Sequence, residues 1–376
     1  MNPDLNMLPG YPGLKSWPPF AGTQQFNSST ENQKNDMAHT AKPDARFKRF
    51  NPKRLPLFMA CLLLFALTGM TDVLHAQSGS GSAAAGRQFY VSFLHSKYTT
   101  GPDLPSLGLK VAVMRTCRIT ARNNFTNSYL KDGSGNDWDG LYTVAPGIYT
   151  FDLPYNDMVN TASGKTSKTI TVSSTEDINV YAINYQNGST DAATVLPVSV
   201  WGTEYYLATG IPYPHSPADY PSACSVTARE DGTQIFLPGT STPITLNENE
   251  VYHYYVSDNL TGKKVTATKP VAVFSGNVVA SSAGDAKYGW TGTIGLGGSA
   301  EHCYEQLWST DKWGTDFFVW PVKTTSVAGS DWGGIMCIVA HGNGTKVTVS
   351  GGIDGGPHEY NLNDGGMAYV SIRCRG

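Results

Sequence analysis

Charge is what this sequence has least of. Lysine, arginine, aspartate and glutamate make up 15% of 376 residues, against roughly 25% in an average soluble chain. The net charge of -3 offers no basic footprint for a nucleic-acid backbone. Cysteine is scarce as well: six in all, at 61, 117, 224, 303, 337 and 374, with no C-x-x-C spacing of the kind that holds zinc. The one long apolar run, Leu55 to Met70, has sixteen residues, short of the roughly 20 that span a bilayer as a helix. No window carries a helical apolar period. Runs of four to eight β-branched and aromatic residues recur instead, separated by Gly, Pro, Asn and Asp. That pattern predicts an all-β chain.

The runs repeat. Cys224 to Gly239, C-S-V-T-A-R-E-D-G-T-Q-I-F-L-P-G, returns 112 residues later as Met336 to Gly351, M-C-I-V-A-H-G-N-G-T-K-V-T-V-S-G. Each copy reads as two strands around a D-G-T or N-G-T turn whose glycine accepts a positive φ. Trp201-Gly202-Thr203-Glu204-Tyr205-Tyr206 returns as Trp313-Gly314-Thr315-Asp316-Phe317-Phe318 at the same offset of 112, and Gly86-Arg87-Gln88-Phe89-Tyr90 precedes Gly202 by 116. Three repeats of about 112 residues follow. Ile119-Thr120-Ala121 reads as the first-repeat copy of Val226-Thr227-Ala228 and Ile338-Val339-Ala340. A weaker half-repeat pairs Ile170-Thr171-Val172 with Ile178 to Tyr181, and Val265-Thr266-Ala267 with Val271 to Phe274. Its spacing of about 55 is near the ~50 of long propeller blades. The expected architecture is therefore β-propeller-like with about two blades per repeat, tandem β-sandwiches being the alternative. The third repeat reads as incomplete, because nothing after Ile372 matches G-K-K-V-T-A-T-K-P-V-A-V-F-S-G of the second.

Residues 1–45 are rich in Asn, Pro, Ser and Gln, without a periodic apolar pattern, and read as disordered or as a mis-annotated start, with Met37 the favoured initiator. Residues 46–76 have a signal-peptide layout: Arg46, Lys48, Arg49, Lys53 and Arg54, then the apolar run, then Ala76-Gln77. Cys61 reads as a small apolar residue of that run. Residues 77–85 form a Gly/Ser/Ala leader, and 86–376 the β-repeat domain.

From Gly86 onward the chain resembles the N-terminal domain of the IgG Fc-binding protein family. The resemblance rests on Gly86 to Phe93, on Asp191-Ala192-Ala193-Thr194-Val195-Leu196-Pro197 running into Trp201 to Tyr205, on Leu260-Thr261-Gly262, on Lys269-Pro270-Val271-Ala272-Val273-Phe274-Ser275-Gly276-Asn277, and on Glu305-Gln306-Leu307 before Trp313-Gly314. It implies an extracellular binding or structural module with no activity attached, here a C-terminally truncated bacterial secreted or surface member. Members often pair a cysteine after S-G-N with one before E-Q-L. Here Val278 and Val279 stand where the first would be, while Cys303 remains.

Candidate chemistry is sparse. Cys117, Cys224, Cys303, Cys337 and Cys374 cannot all pair in one chain; Cys117 and Cys224, read as equivalent repeat positions, are expected to be buried free thiols. Glu301-His302-Cys303-Tyr304-Glu305 is dense in reactive groups, yet strand neighbours point to opposite faces, so His302 is not expected to activate Cys303. Asp132, Asn136 and Asp139 are weak calcium candidates, since Asp137 occupies the glycine position of a standard loop; a polar hairpin tip is the expectation. Trp201 and Trp313 recur in register and read as core. Trp138, Trp290 and Trp332 lie in Gly/Asp-rich stretches, where an exposed indole could stack on a ligand. Ala280 to Ala300 reads as an inserted loop.

The expected function is a secreted or cell-surface, non-catalytic binding or adhesion module that recognises a glycoprotein, glycan or matrix partner and uses no cofactor or nucleic acid. Its membrane contact would be confined to a retained 55–70 segment. A secreted hydrolase is the rival, but no Ser/His/Asp or paired-carboxylate motif marks one. A structural spacer is the third reading.

Overall fold

Pairing in the long strand Ile170–Tyr185 organises the first half of the molecule. The computed structural model describes residues 83–97, 105–186, 189–210, 212, 219–281, 300–319, 332–351 and 357–374. The expectations placed on 1–45, on 46–76, on 77–82, on the insertion from 282 to 299 and on Trp290 lie outside these residues. The fold is all-β. In chain order the strands are β1 (Gly86–Val91), β2 (Phe93–Leu94), β3 (Ser106–Val113), β4 (Cys117–Asn123), β5 (Ser128–Tyr129), β6 (Asp139–Val144), β7 (Gly147–Leu153), β8 (Val159–Asn160), β9 (Gly164–Thr166), β10 (Ile170–Tyr185) and β11 (Asp191–Val195). They continue with β12 (Gly202–Tyr206), β13 (Ser222–Ala228), β14 (Thr233–Phe236), β15 (Ile244–Leu246), β16 (Val251–Val256), β17 (Lys264–Ser281), β18 (Ala300–Gln306), β19 (Trp332–Val339), β20 (Thr345–Val349), β21 (His358–Leu362) and β22 (Met367–Cys374).

β10 belongs to two half-sheets. Its start, Ile170–Ser174, pairs with β4 and β1, and its end, Ile178–Tyr185, pairs with β3 and β11. The register slips between, where Gly86 opposes Ile178 but Gln88 opposes Ser173. A strand that changes sheet at such a bend makes the corner of an orthogonal packing. Alternate residues of both halves meet in one core: Phe89, Leu109, Ile119, Val172 and Val180 among them.

The second sheet repeats this plan. The start of β17 pairs with β12 and β14, its later part with β13 and β18. Pro270 falls between the two paired segments, where no ladder N–H is required. Tyr205, Val226, Ile235, Val265 and Val273 form its own core.

Two sequence readings change here. The runs taken as half-repeat strand pairs are parts of single strands, β10 and β17, each belonging to one curled eight-stranded sheet. The tripeptide alignment also shifts. Val113 opposes Ile178 as Ala228 opposes Val271, which makes Val111-Ala112-Val113 the counterpart of Val226-Thr227-Ala228, and Ile119 that of Ile235.

Beyond these sheets, β19 pairs with β22 and β20 with β21 as separate two-stranded ribbons. Their registers reproduce those of the second sheet: Ile338 opposes Ala368 as Val226 opposes Tyr252, and Thr345 opposes Leu362 as Thr233 opposes Leu246. Gly232 and Gly344 take the positive φ of the turns, 68° and 72°. The joints repeat too. Tyr90 packs on Trp201 at 5.3 Å and Tyr206 on Trp313 at 5.7 Å. The Trp201 indole N–H donates to the Leu196 carbonyl, and that of Trp313 to the Trp308 carbonyl.

Candidate functional site

Every residue of β13 is buried, because it is covered on both faces. Cys224, Val226 and Ala228 enter the core of the second sheet, while Ala223 enters that of the first. Ser225 and Thr227 line a polar seam between the two sheets: Ser225 Oγ lies 2.7 Å from Ser92 Oγ, and Thr227 Oγ1 donates to the same atom at 3.4 Å. Tyr304 donates to the Ser92 carbonyl at 2.5 Å, its ring stacked between Phe93 and Phe274. His253 Nε2 donates to the Phe93 carbonyl at 3.1 Å, and Asn184 Nδ2 bridges the Leu94 carbonyl and His302 Nε2 at 3.1 and 3.2 Å.

Burial holds His253 and His302 down to about 4 and lowers His95 as well, so these imidazoles are neutral at pH 7. It pushes the Cys224 and Cys303 thiols up to about 12 and Cys337 to about 11, far from the thiolate a nucleophile requires. The serine and threonine hydroxyls of the seam bond to each other, and among the described residues no imidazole is hydrogen-bonded to them. This seam is a structural joint. On its outer side, Tyr304 N–H donates to Asp191 Oδ2 at 2.7 Å. Burial of the Glu305 carboxyl, and after it the Asp191 charge, push Glu305 up to about 7 although the residue lies at the surface.

A second cluster faces solvent where the second sheet meets the β19–β22 ribbon. Lys264 Nζ lies 3.2 Å from Glu204 and 3.3 Å from Asp364, and its ammonium sits 4.8 Å above the Tyr206 ring. His341 Nδ1 lies 3.6 Å from Glu204 and 3.7 Å from Asp364. Tyr206 donates its hydroxyl to Asp364, which with the Gly342 N–H holds that carboxyl down to about 2. Trp313 packs beside Tyr206 and His341. Charges of both signs, an indole and an imidazole on one surface make a patch suited to polar recognition.

Residues 191–373 match the family model described as IgGFc binding protein. The matched region is just under half of the chain; it starts at β11 and includes the second sheet except β9, both ribbons except Cys374, and the surface patch. Gly86 to Phe93 lies outside it. Human IgGFc-binding protein is 28% identical over 193 residues, which are 47% of this chain and 3% of that protein. The chain thus spans a very small part of the relative's length. No solved structure matches.

Trp138, expected as an exposed indole, is fully buried, edge-on to Tyr149 at 5.1 Å and to Phe151 at 4.7 Å. Its backbone fixes it there, accepting from Ala121 and donating to Leu130. Trp332 opens β19 opposite Cys374. At the proposed calcium loop, Asp132 accepts from the backbone N–H groups of Ser134 and Asn136, from the Asn136 amide and from the Tyr142 hydroxyl, and is held down to about 2, chiefly by Tyr142. Asp139 accepts from Leu141 N–H. These oxygens brace a hairpin tip. Cys117, Cys224, Cys303 and Cys337 are free thiols. Cys117 and Cys224 are buried, but they are not equivalent: Cys224 corresponds to Leu109 and Cys117 to Thr233. The patch residues Glu204, Lys264, His341 and Asp364 escaped the sequence reading, having only the repeat offset of Arg229 and His341 as a signal. Among the described residues, no helix is long and apolar enough to cross a membrane.

Proposed function

We propose that this protein is an extracellular, non-catalytic binding module of the IgG Fc-binding type, taking a glycoprotein, glycan or matrix component as its partner. The observation that carries the reading is the match of residues 191–373 to a family described by what it binds rather than by a reaction. The solvent-facing patch of Glu204, Lys264, His341 and Asp364 lies within the matched residues and supplies a recognition surface, to which Trp290 and Trp332 are candidate additions. The reactive side chains of the seam are consumed by packing and by each other, which favours binding over catalysis. The basic run and apolar segment in 46–76 support export, with the mature chain beginning near Gln77; retention of 55–70 as a membrane tether is the alternative. Affinity capture of extracellular glycoproteins, immunoglobulin Fc included, together with a glycan array, tests the reading. Saturable retention of an intact partner is expected; no retained partner from either screen would overturn it.

A further inference from the structure

Two turns, 247–250 before β16 and 363–366 before β22, are built alike. Asn249 N–H donates to the Ala228 carbonyl and Ala228 N–H to the Glu250 carbonyl, just as Gly365 N–H donates to the Ala340 carbonyl and Ala340 N–H to the Gly366 carbonyl. Glu248 N–H donates to Asp231 as Asp364 N–H does to Asn343. Asn249 and Gly365 take the same positive φ, 64° and 69°. Each turn seats on the repeat before its own, and at the same place. Thr171 and Lys264 are equivalent, lying opposite Tyr90 and Tyr206, and two residues earlier Thr169 and Gly262 meet the turns. At the first joint the contact is made by side chains: Thr169 Oγ1 donates to the Asn249 carbonyl at 2.9 Å, and Thr171 Oγ1 to Asn249 Oδ1 at 3.0 Å. At the second the backbones touch. A Cβ on Gly262 would stand 2.2 Å from the Gly365 carbonyl oxygen, and one on Gly365 would stand 2.5 Å from the Gly262 carbonyl oxygen.

We propose that this turn is the element by which successive repeats dock, and that at the second joint Gly262 and Gly365 are positioning residues that assemble the surface patch. The patch is divided between repeats: Glu204 and Lys264 come from the second, His341 and Asp364 from the third. Asp364 adjoins Gly365, and it reaches Lys264 and the Tyr206 hydroxyl only while the turn is seated. Displacing the turn by an ångström takes the 3.3 Å contact with Lys264 beyond bonding distance. Any consequence for partner binding rests on reading the patch as the recognition surface; its assembly does not.

The test needs no partner. Acetylation rates of individual lysines, followed by peptide mass spectrometry on the full chain, report whether Lys264 is held by Asp364. Lys346 is the reference, because its ion pair with Glu359 lies within its own ribbon. Gly365→Asn installs the residue that takes the same φ in the second repeat, so the turn keeps its shape while its Cβ collides with the Gly262 carbonyl. Gly262→Ala makes the collision from the other side. In both variants Lys264 acetylation should rise by about threefold or more with Lys346 unchanged. Thr169→Ala, at the equivalent position of the first joint, should leave Lys264 as in the parent chain. An unchanged Lys264 rate in both glycine variants would overturn the proposal. So would an equal rise at Lys346, which would mean that the glycines hold the third repeat together at large and do not position the patch.

Discussion

Tyr304 and Ser92 are 212 positions apart in sequence and 2.5 Å apart in space, the Tyr304 hydroxyl donating to the Ser92 carbonyl. This bond ties the second sheet to the first at a buried point. Tyr304→Phe keeps the ring stacked between Phe93 and Phe274 and strands the carbonyl. The variant is expected to lose about 1–3 kcal/mol in denaturant melts. A change below about 0.5 kcal/mol would show that the seam does not depend on it.

Acid should loosen the seam. His253 and His302 titrate near 4 when folded, against 6.5 for the free imidazole, so between those values the unfolded chain binds the additional protons. Their contribution is full above about pH 6.5 and is lost as pH falls towards 4. Glu305 has the opposite sign: its folded value of about 7 exceeds 4.5, so its ionisation opposes folding most above pH 7. Asp191, also raised, acts with it. Two fully buried imidazoles outweigh a surface carboxyl, so unfolding midpoints measured from pH 7 to 4 should fall. Glu305→Gln should stabilise by up to about 1 kcal/mol at pH 8 after solvent screening, and by nothing at pH 4.

Gly276, in the middle of the S-G-N motif, has no room for a side chain. A Cβ there would stand 1.8 Å from the Cys303 carbonyl oxygen on β18. Gly276→Ala must push β17 and β18 apart and should cost about 1–3 kcal/mol or more. An unchanged melting temperature would mean that the strands yield freely.

Trp138 should matter for folding. Trp138→Ala removes an indole packed on Tyr149 and Phe151 and is expected to cost about 3–5 kcal/mol. Partner affinity per folded molecule should be unaffected; a loss of affinity in protein shown by circular dichroism to be folded would return it to the binding site.

The sequence made the all-β class readable, because alternating runs and turn residues are local features. Pairing was harder to read. Ile119-Thr120-Ala121 and Val111-Ala112-Val113 have equally strand-like patterns, and only the ladder opposite β10 decides which corresponds to Val226-Thr227-Ala228. The bend within β10 is likewise a non-local feature, set by where Gly86 and Gln88 pair. Trp138 misled through its Gly/Asp-rich surroundings, since burial there comes from β4 and β7 folding over it. The patch of Glu204, Lys264, His341 and Asp364 joins positions up to 160 residues apart, a convergence that no spacing announces.

The most direct measurement is surface-plasmon binding of the purified protein to the partner retained in the capture screen, with the partner's integrity followed by mass spectrometry. Saturable binding, weakened about tenfold or more by Glu204→Gln with Asp364→Asn and leaving the partner chemically unchanged, is the predicted result. Unsaturable binding, cleavage of the partner, or full affinity in the double variant would contradict the account of this protein as a non-catalytic module that binds through that patch.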